Sequence, residues 1–147
     1  MELLPEIEGR YAVKDFLPTQ VPADCIERIL EAGRLAPSAK NRQSWRFVVV
    51  TEPQLRARIA EASYNQDCMV KAPVIIALCT TNIDYKMPNG LLSYPVDLGV
   101  AGAFMMLQAA HEGLGTCPVT TFSEADVRTI LTVPYGMKIV MMLALGY

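Results

Sequence analysis

Charge is scarce in this chain, and histidine scarcer. Of 147 residues, 13 are Lys or Arg and 15 are Asp or Glu, with a single histidine at His111. A net charge of -2 and a pI near 5.4 give no basic footprint for nucleic acid. His111 falls in the last turn of a helical pattern, with no Ser or Cys partner in view. A capping or surface role is expected there, and Ser–His, Cys–His and metal chemistry are not. The four cysteines, Cys25, Cys68, Cys79 and Cys117, share no Cys-x-x-Cys or other metal-ligand spacing. Each sits in an apolar or helical pattern, as small buried hydrophobes do. No GxGxxG fingerprint is present. The longest apolar run, Leu98 to Ala110, is broken at Gln108 and falls short of the about 20 residues a bilayer requires. The first residues have neither the basic region nor the apolar run of a signal peptide. The expectation is one cytoplasmic domain over residues 1–147, with no membrane and no nucleic-acid partner.

What the chain has is apolar residues, 52% of the total, with a mean hydropathy of +0.24. Glu2 to Gly9 reads as a short acidic helix. Pro22 suits a helix first turn; Ile26, Ile29, Leu30 and Leu35 then repeat at helical spacing, and Pro37 stops the helix by Ala36. Phe47 to Val50 reads as a buried strand. Pro53 starts a further helix, with Leu55, Ile59 and Ala62 inward and Arg56 and Arg58 outward. Tyr64-Asn65-Gln66 breaks it. Val74 to Leu78 is apolar at every position, as a central strand is. Thr80 to Tyr94 is loop-like. Pro95 to Glu112 is apolar nearly all round, which implies burial on every side and a partner subunit as the simplest cover. Gly113 is its C-cap. Ser123 caps a helix carrying Val127, Ile130 and Leu131, and Ile139 to Leu145 closes the chain as a strand. Helices and strands interleave without βαβ spacing.

Two stretches stand out chemically. Arg10 and Lys14 share one side whether their segment is extended or helical. Two convergent cations suit a phosphate where no glycine-rich loop exists, although a pair of solvated surface charges has the same pattern. Ala36 to Phe47 packs Pro37, Ser38, Asn41, Gln43 and the only tryptophan, Trp45, into one connection. Read alone it is a helix stop with an aromatic anchor. Read as a surface loop it is a polar edge for a flat ligand.

Three motifs stand in one order: Arg10-x-x-x-Lys14-x-Phe16, Ala36-Pro37-Ser38-Ala39-x-Asn41-x-Gln43-x-Trp45-x-Phe47, and Ala109-Ala110-x-x-Gly113-Leu114-Gly115-Thr116. Ala72-Pro73 and Asp97-Leu98-Gly99 lie between them. With these the chain resembles the FMN-dependent nitroreductase family over nearly its whole length. The resemblance implies an α+β fold, a central and mostly antiparallel sheet flanked by helices. It also implies a homodimer with FMN at the interface. By position, Arg10 matches a phosphate ligand, followed by Tyr11 and Ala12, and Lys14 matches the cation at the pyrimidine edge. Pro37, Ser38, Ala39, Asn41 and Gln43 match a loop reaching the partner's flavin. Asn65 matches a pyrimidine ligand, and Pro118, Val119, Thr120 and Thr121 match the loop near N5.

The implied activity is hydride transfer from NADH or NADPH, through FMN, to a small planar substrate such as a nitroaromatic, quinone or enone, with no protein nucleophile. The alternatives are a degenerate flavin-binding dimer without turnover and a ligand-free structural dimer. The family pattern differs here in three places. Tyr11-Ala12 stands for Arg-Ser, Ser44 for Pro, and the chain ends at Tyr147 where the family has a tail with a phosphate-binding cation. Two charged contacts fewer, at roughly 1.5–3 kcal/mol each, predict FMN held at least two orders of magnitude more weakly, since about 1.4 kcal/mol is tenfold.

Overall fold

The computed structural model describes residues 2–147. Four strands, β1 (Trp45–Val50), β2 (Val74–Thr80), β3 (Gly115–Val119) and β4 (Lys138–Gly146), form one sheet in the order β1-β2-β4-β3. All three pairings are antiparallel. The α+β expectation holds. β2 is buried at every position because helices cover both faces of the sheet. Ile75, Ala77 and Cys79 meet Ile59, Ala60, Met69 and Val127 from α3 (Pro53–Ala62), α4 (Asp67–Lys71) and α6 (Glu124–Leu131). Val74, Ile76 and Leu78 meet Ile29, Leu98, Ala101 and Met105 from α2 (Ala23–Arg34) and α5 (Tyr94–His111). A register shift between Leu78 and Cys79 skips Val140. Val140 and Met141 therefore both turn toward α5, while Ile139 and Met142 face the other layer, as a bulge requires.

Helix ends follow local chemistry. Pro53 sits at the start of α3, where Glu52 accepts from the N–H groups of Gln54 and Leu55 at 2.9 and 2.6 Å. Ser123 Oγ accepts from Asp126 N at the head of α6. Gly113, with φ of 76°, turns the chain out of α5, a conformation glycine adopts freely. A short helix α1 (Pro5–Gly9) packs on the C-terminal end of α5, where Glu6 and His111 pair at 2.7 Å. His111 thus has the surface role expected of it.

Three expectations need correction. Leu35 is 62% exposed: α2 stops at Arg34, so Leu35 lies past the helical phase, and Gly33 takes the inward position. Added atoms there would lie 2.8 Å from Met105, so Gly33 is what lets α2 approach α5 closely. Arg56 does not point away into water; its guanidinium donates to Thr51 O and Ala72 O at 3.1 and 2.7 Å. The strand after the polar connection begins at Trp45, two residues earlier than Phe47, because Trp45 pairs with Thr80 and stacks on Phe47 in the α5 layer.

Candidate functional site

Arg10 follows α1 directly and leads an extended segment along β3. Ala12 bridges to Thr116, and Val13 N donates to Thr116 O at 2.9 Å. Gly115 makes that approach possible, because a Cβ there would lie 2.6 Å from Val13 Cγ2. Arg10, Tyr11 and Val13 line a cavity of about 380 Å³ that His111, Gly113 and Thr116 also line, so Arg10 does not share a side with Lys14 as the alternation predicted; the segment pairs with β3 only from Ala12 on. Lys14 faces the other way, and its Nζ lies 3.3 Å from Cys117 Sγ. That thiol raises the Lys14 ammonium above its ordinary value, so it stays cationic. Cys68 is a buried neighbour of the same thiol, and burial first, then the neighbouring Cys117, pushes its own thiol up to about 11. Arg10 and Lys14 are exposed, and neither forms an ion pair among the described residues.

Two further pieces join this corner. Tyr64 and Asn65 adopt φ of 57° and 53°, a left-handed pair that turns the chain from α3 to α4 and leaves Asn65 exposed. Gln66 Nε2 then donates to Thr121 O at 2.8 Å, and Ser123 N donates to Ala62 O at 2.8 Å. These bonds tie the Asn65 turn to the end of β3, where Pro118, Thr120 and Thr121 are exposed and Val119 is buried. Arg10, Ala12, Lys14, Asn65 and Pro118–Thr121 therefore share one edge of the sheet.

The Pro37–Gln43 loop stands elsewhere. Ala39 N donates to the buried Asp97 at 2.8 Å, Gln43 N to Ser38 Oγ at 3.0 Å, and Gln43 Nε2 to Asn41 Oδ1 at 2.7 Å. Lys40, Asn41 and Gln43 hold φ of 53°, 52° and 50°. Side-chain-bearing residues occupy that region at a cost of order 1–3 kcal/mol each, and such strain clusters at binding sites. The loop hangs from Asp97 in the first turn of α5, whereas α1 and Arg10 hang from His111 in its last turn. About 21 Å of helix lies between these anchors at 1.5 Å per residue. β1 and β3 are also opposite edges of the sheet, about 14 Å apart across three strand spacings. Among the described residues no hydrogen bond joins the loop to the Lys14 corner. One copy of the chain does not bring the two halves together.

Sequence reasoning missed Gln66, the proximity of Cys68 to Cys117, and Thr116. Thr116 is 2% exposed and its Oγ1 has no partner among the described residues. Only its place in the Gly113-Leu114-Gly115-Thr116 motif signalled it. No group of His, Cys, Asp and Glu able to hold a metal occurs among the described residues, and none of their helices is long and apolar enough to cross a membrane.

Comparison with known proteins places the chain's fold and sequence among relatives. The chain is 27% identical over 172 residues to an NADH dehydrogenase of Thermus thermophilus, covering 94% of this chain and 82% of that one. It is 39% identical over 66 residues to an oxygen-insensitive NADPH nitroreductase of Helicobacter acinonychis, covering 44% and 31%. A nitroreductase family protein of Clostridium novyi NT superposes with a TM-score of 0.91 at 28% identity, over 99% of this chain and 84% of that one. The sequence profile of the nitroreductase family matches residues 7–66 and 62–147. With both segments spanning almost the whole sequence, the chain belongs to the nitroreductase family.

Proposed function

We propose that the chain is a single-domain, homodimeric, FMN-dependent oxidoreductase that uses NADH or NADPH to reduce small electrophilic acceptors such as nitroaromatics, quinones and enones. The carrying observation is the placement of two cations without ion-pair partners among the described residues on one extended segment along β3: Arg10 at its head, lining the cavity beside α1, and Lys14 beside Cys117, close to Pro118–Thr121. That donor set suits FMN, which carries a phosphate at one end and an anion-forming pyrimidine at the other. Names of relatives support the donor: NADPH nitroreductase for one and NADH dehydrogenase for another.

Bound FMN supplies the redox chemistry, passing a hydride from nicotinamide to acceptor. The chain's own groups supply position and charge. Arg10 holds the phosphate. Lys14, kept cationic and steadied by Cys117, stabilises negative charge at the pyrimidine edge. Asn65 is held on that edge by the Gln66–Thr121 bond. Residues 118–121 present backbone groups where the reacting edge would lie. Ser38, Asn41 and Gln43 come from the second copy, because one chain keeps the two halves apart. Support for the second copy comes from α5, whose Val96 and Phe104 are 48% and 40% exposed although the helix is apolar nearly all round.

Ala12, a methyl where a phosphate-binding hydroxyl would serve, favours a second reading as a flavin-holding dimer without turnover. Anaerobic mixing of FMN-loaded protein with NADH and NADPH separates the two. Bleaching of the flavin absorbance band is the expected result. Bound flavin that neither nucleotide reduces selects the second reading, and failure to bind FMN at all sinks both.

A further inference from the structure

Tyr85 lies in the loop between β2 and α5, and two cations converge on its ring. The Arg42 guanidinium carbon is 3.9 Å from the ring centroid and Lys40 Nζ is 5.3 Å from it. Both cations are exposed, and neither forms an ion pair among the described residues, although Asp84 is the next residue to Tyr85 in sequence. Nor is the arrangement loose. Lys40 is fixed in left-handed backbone between the Asn41 N–Ser38 O and Arg42 N–Ala39 O bonds, and Asp97 anchors the loop base. Tyr85 is held from its own side by Ser93 N donating to Tyr85 O at 3.0 Å, and the Lys86–Leu92 bridge closes the hairpin beyond it.

A guanidinium whose carbon lies 3.9 Å from a ring centroid is held in place without using up its N–H donors, and those donors can pair in bidentate fashion with an oxyanion. A second cation on the same ring adds charge without needing a separate anchor. We propose that Lys40 and Arg42, braced on Tyr85, form an oxyanion-recognition platform that selects the reaction partner of the flavin. It takes an anionic group presented beside a planar ring system: the 2′-phosphate of NADPH as donor, or the carboxylate of an acidic aromatic acceptor. The proposal rests on the FMN-dependent reading above, in which this loop faces the flavin held by the other copy.

The test compares wild type with Arg42→Ala and with Lys40→Asn, the latter because asparagine tolerates left-handed backbone. In the first arm kcat/KM is measured for NADPH and NADH against nitrobenzene. In the second, NADH is fixed and 4-nitrobenzoate is compared with nitrobenzene. One selectivity ratio falls by roughly tenfold to a hundredfold in each variant, as loss of a charged contact implies. The ratio that moves names the anion. Both ratios unchanged, with FMN affinity and circular dichroism intact, overturn the platform. A flavin-free arm titrates adenosine 2′,5′-bisphosphate, adenosine 5′-monophosphate and 4-nitrobenzoate into the protein by calorimetry. Binding of one oxyanion that Arg42→Ala abolishes, in a chain that takes up no FMN, keeps the platform and sinks the flavin reading. A wild type that binds FMN and turns over, yet shows no preference for either anion, retires the platform alone.

Discussion

Replacing Gly115 with alanine should weaken FMN binding without unfolding the protein. The new Cβ would lie 2.6 Å from Val13 Cγ2, 3.1 Å from Val13 Cβ and 3.2 Å from Val13 Cγ1. Valine is stiff at χ1, so rotation offers little relief. Gly115 has no left-handed φ, so alanine fits its backbone and the effect is purely steric. Overpacking of this kind costs about 1–3 kcal/mol. The easiest escape is for Val13 to lift off β3, breaking its single bond to Thr116 O and carrying Arg10 and Lys14 with it. Each charged contact contributes roughly 1.5–3 kcal/mol, so displacing one lowers FMN affinity by roughly ten- to a hundredfold. The core stays in place, and Tm falls by only about 2–4 °C for each kcal/mol of lost docking. Flavin-fluorescence titration and thermal melts read the two effects separately. Val13→Ala added to Gly115→Ala removes the two clashing methyls and should recover most of the affinity, with a coupling energy of about 1 kcal/mol or more. A Gly115→Ala protein with wild-type FMN affinity, or a double variant no better than the single one, would refute the steric account.

Gly146→Ala acts on stability instead, because its Cβ would meet the rigid Pro73 ring at 2.6 and 2.8 Å; a cost of about 1–3 kcal/mol should lower Tm by about 3–10 °C in a melt. Asn41→Gly keeps the left-handed backbone and removes the amide that accepts from Gln43, so flavin affinity should drop while circular dichroism is unchanged; loss of the folded signal would return the loop to a purely structural role. Glu112 is held down to about 2, chiefly by the Arg28 guanidinium bonded to it at 2.6 and 2.8 Å. Its folded pKa lies below its unfolded one, so it stabilises the fold above about pH 4.5, and that stability is lost as pH falls toward 2. Glu112→Gln should flatten this part of the acid-unfolding curve, as followed by far-UV circular dichroism. Burial pushes Cys79 up to about 11, and Cys68 shares that value. Both thiols should therefore ignore a thiol-reactive disulfide at pH 7 until denaturant opens the core.

Much of the fold was legible because its signals are local. Pro22, Pro53 and Ser123 mark helix starts by their own geometry, Gly113 marks a helix end, and the unbroken apolar run Val74–Leu78 foretells a strand covered on both faces. What stayed hidden depends on residues far apart in sequence. Glu6 and His111 are 105 positions apart; nothing local in either residue announces the pairing. Leu35 continued the helical repeat on paper, but the repeat carries no information about where the last turn ends. α4 is only five residues long, too short to display a period. At the candidate site, alternation predicted that Arg10 and Lys14 share a side, but Arg10 lines the cavity with Tyr11 and Val13 while Lys14 reaches Cys117, because regular pairing with β3 starts only at Ala12. The separation of the Asn41 loop from both was hidden too, since it is set by the length of α5 and the strand order β1-β2-β4-β3.

That separation has a genetic consequence. A two-fold dimer of the kind proposed holds two equivalent sites, each built from the Lys14 corner of one copy and the Asn41 loop of the other. A chain crippled at Lys14 and a chain crippled at Asn41 would each be inactive by themselves. When the two are mixed and their subunits exchange, every hybrid pairs the sound corner of one with the sound loop of the other. One of its two sites is then fully intact and the other carries both lesions, so two dead proteins restore up to half of the activity per hybrid.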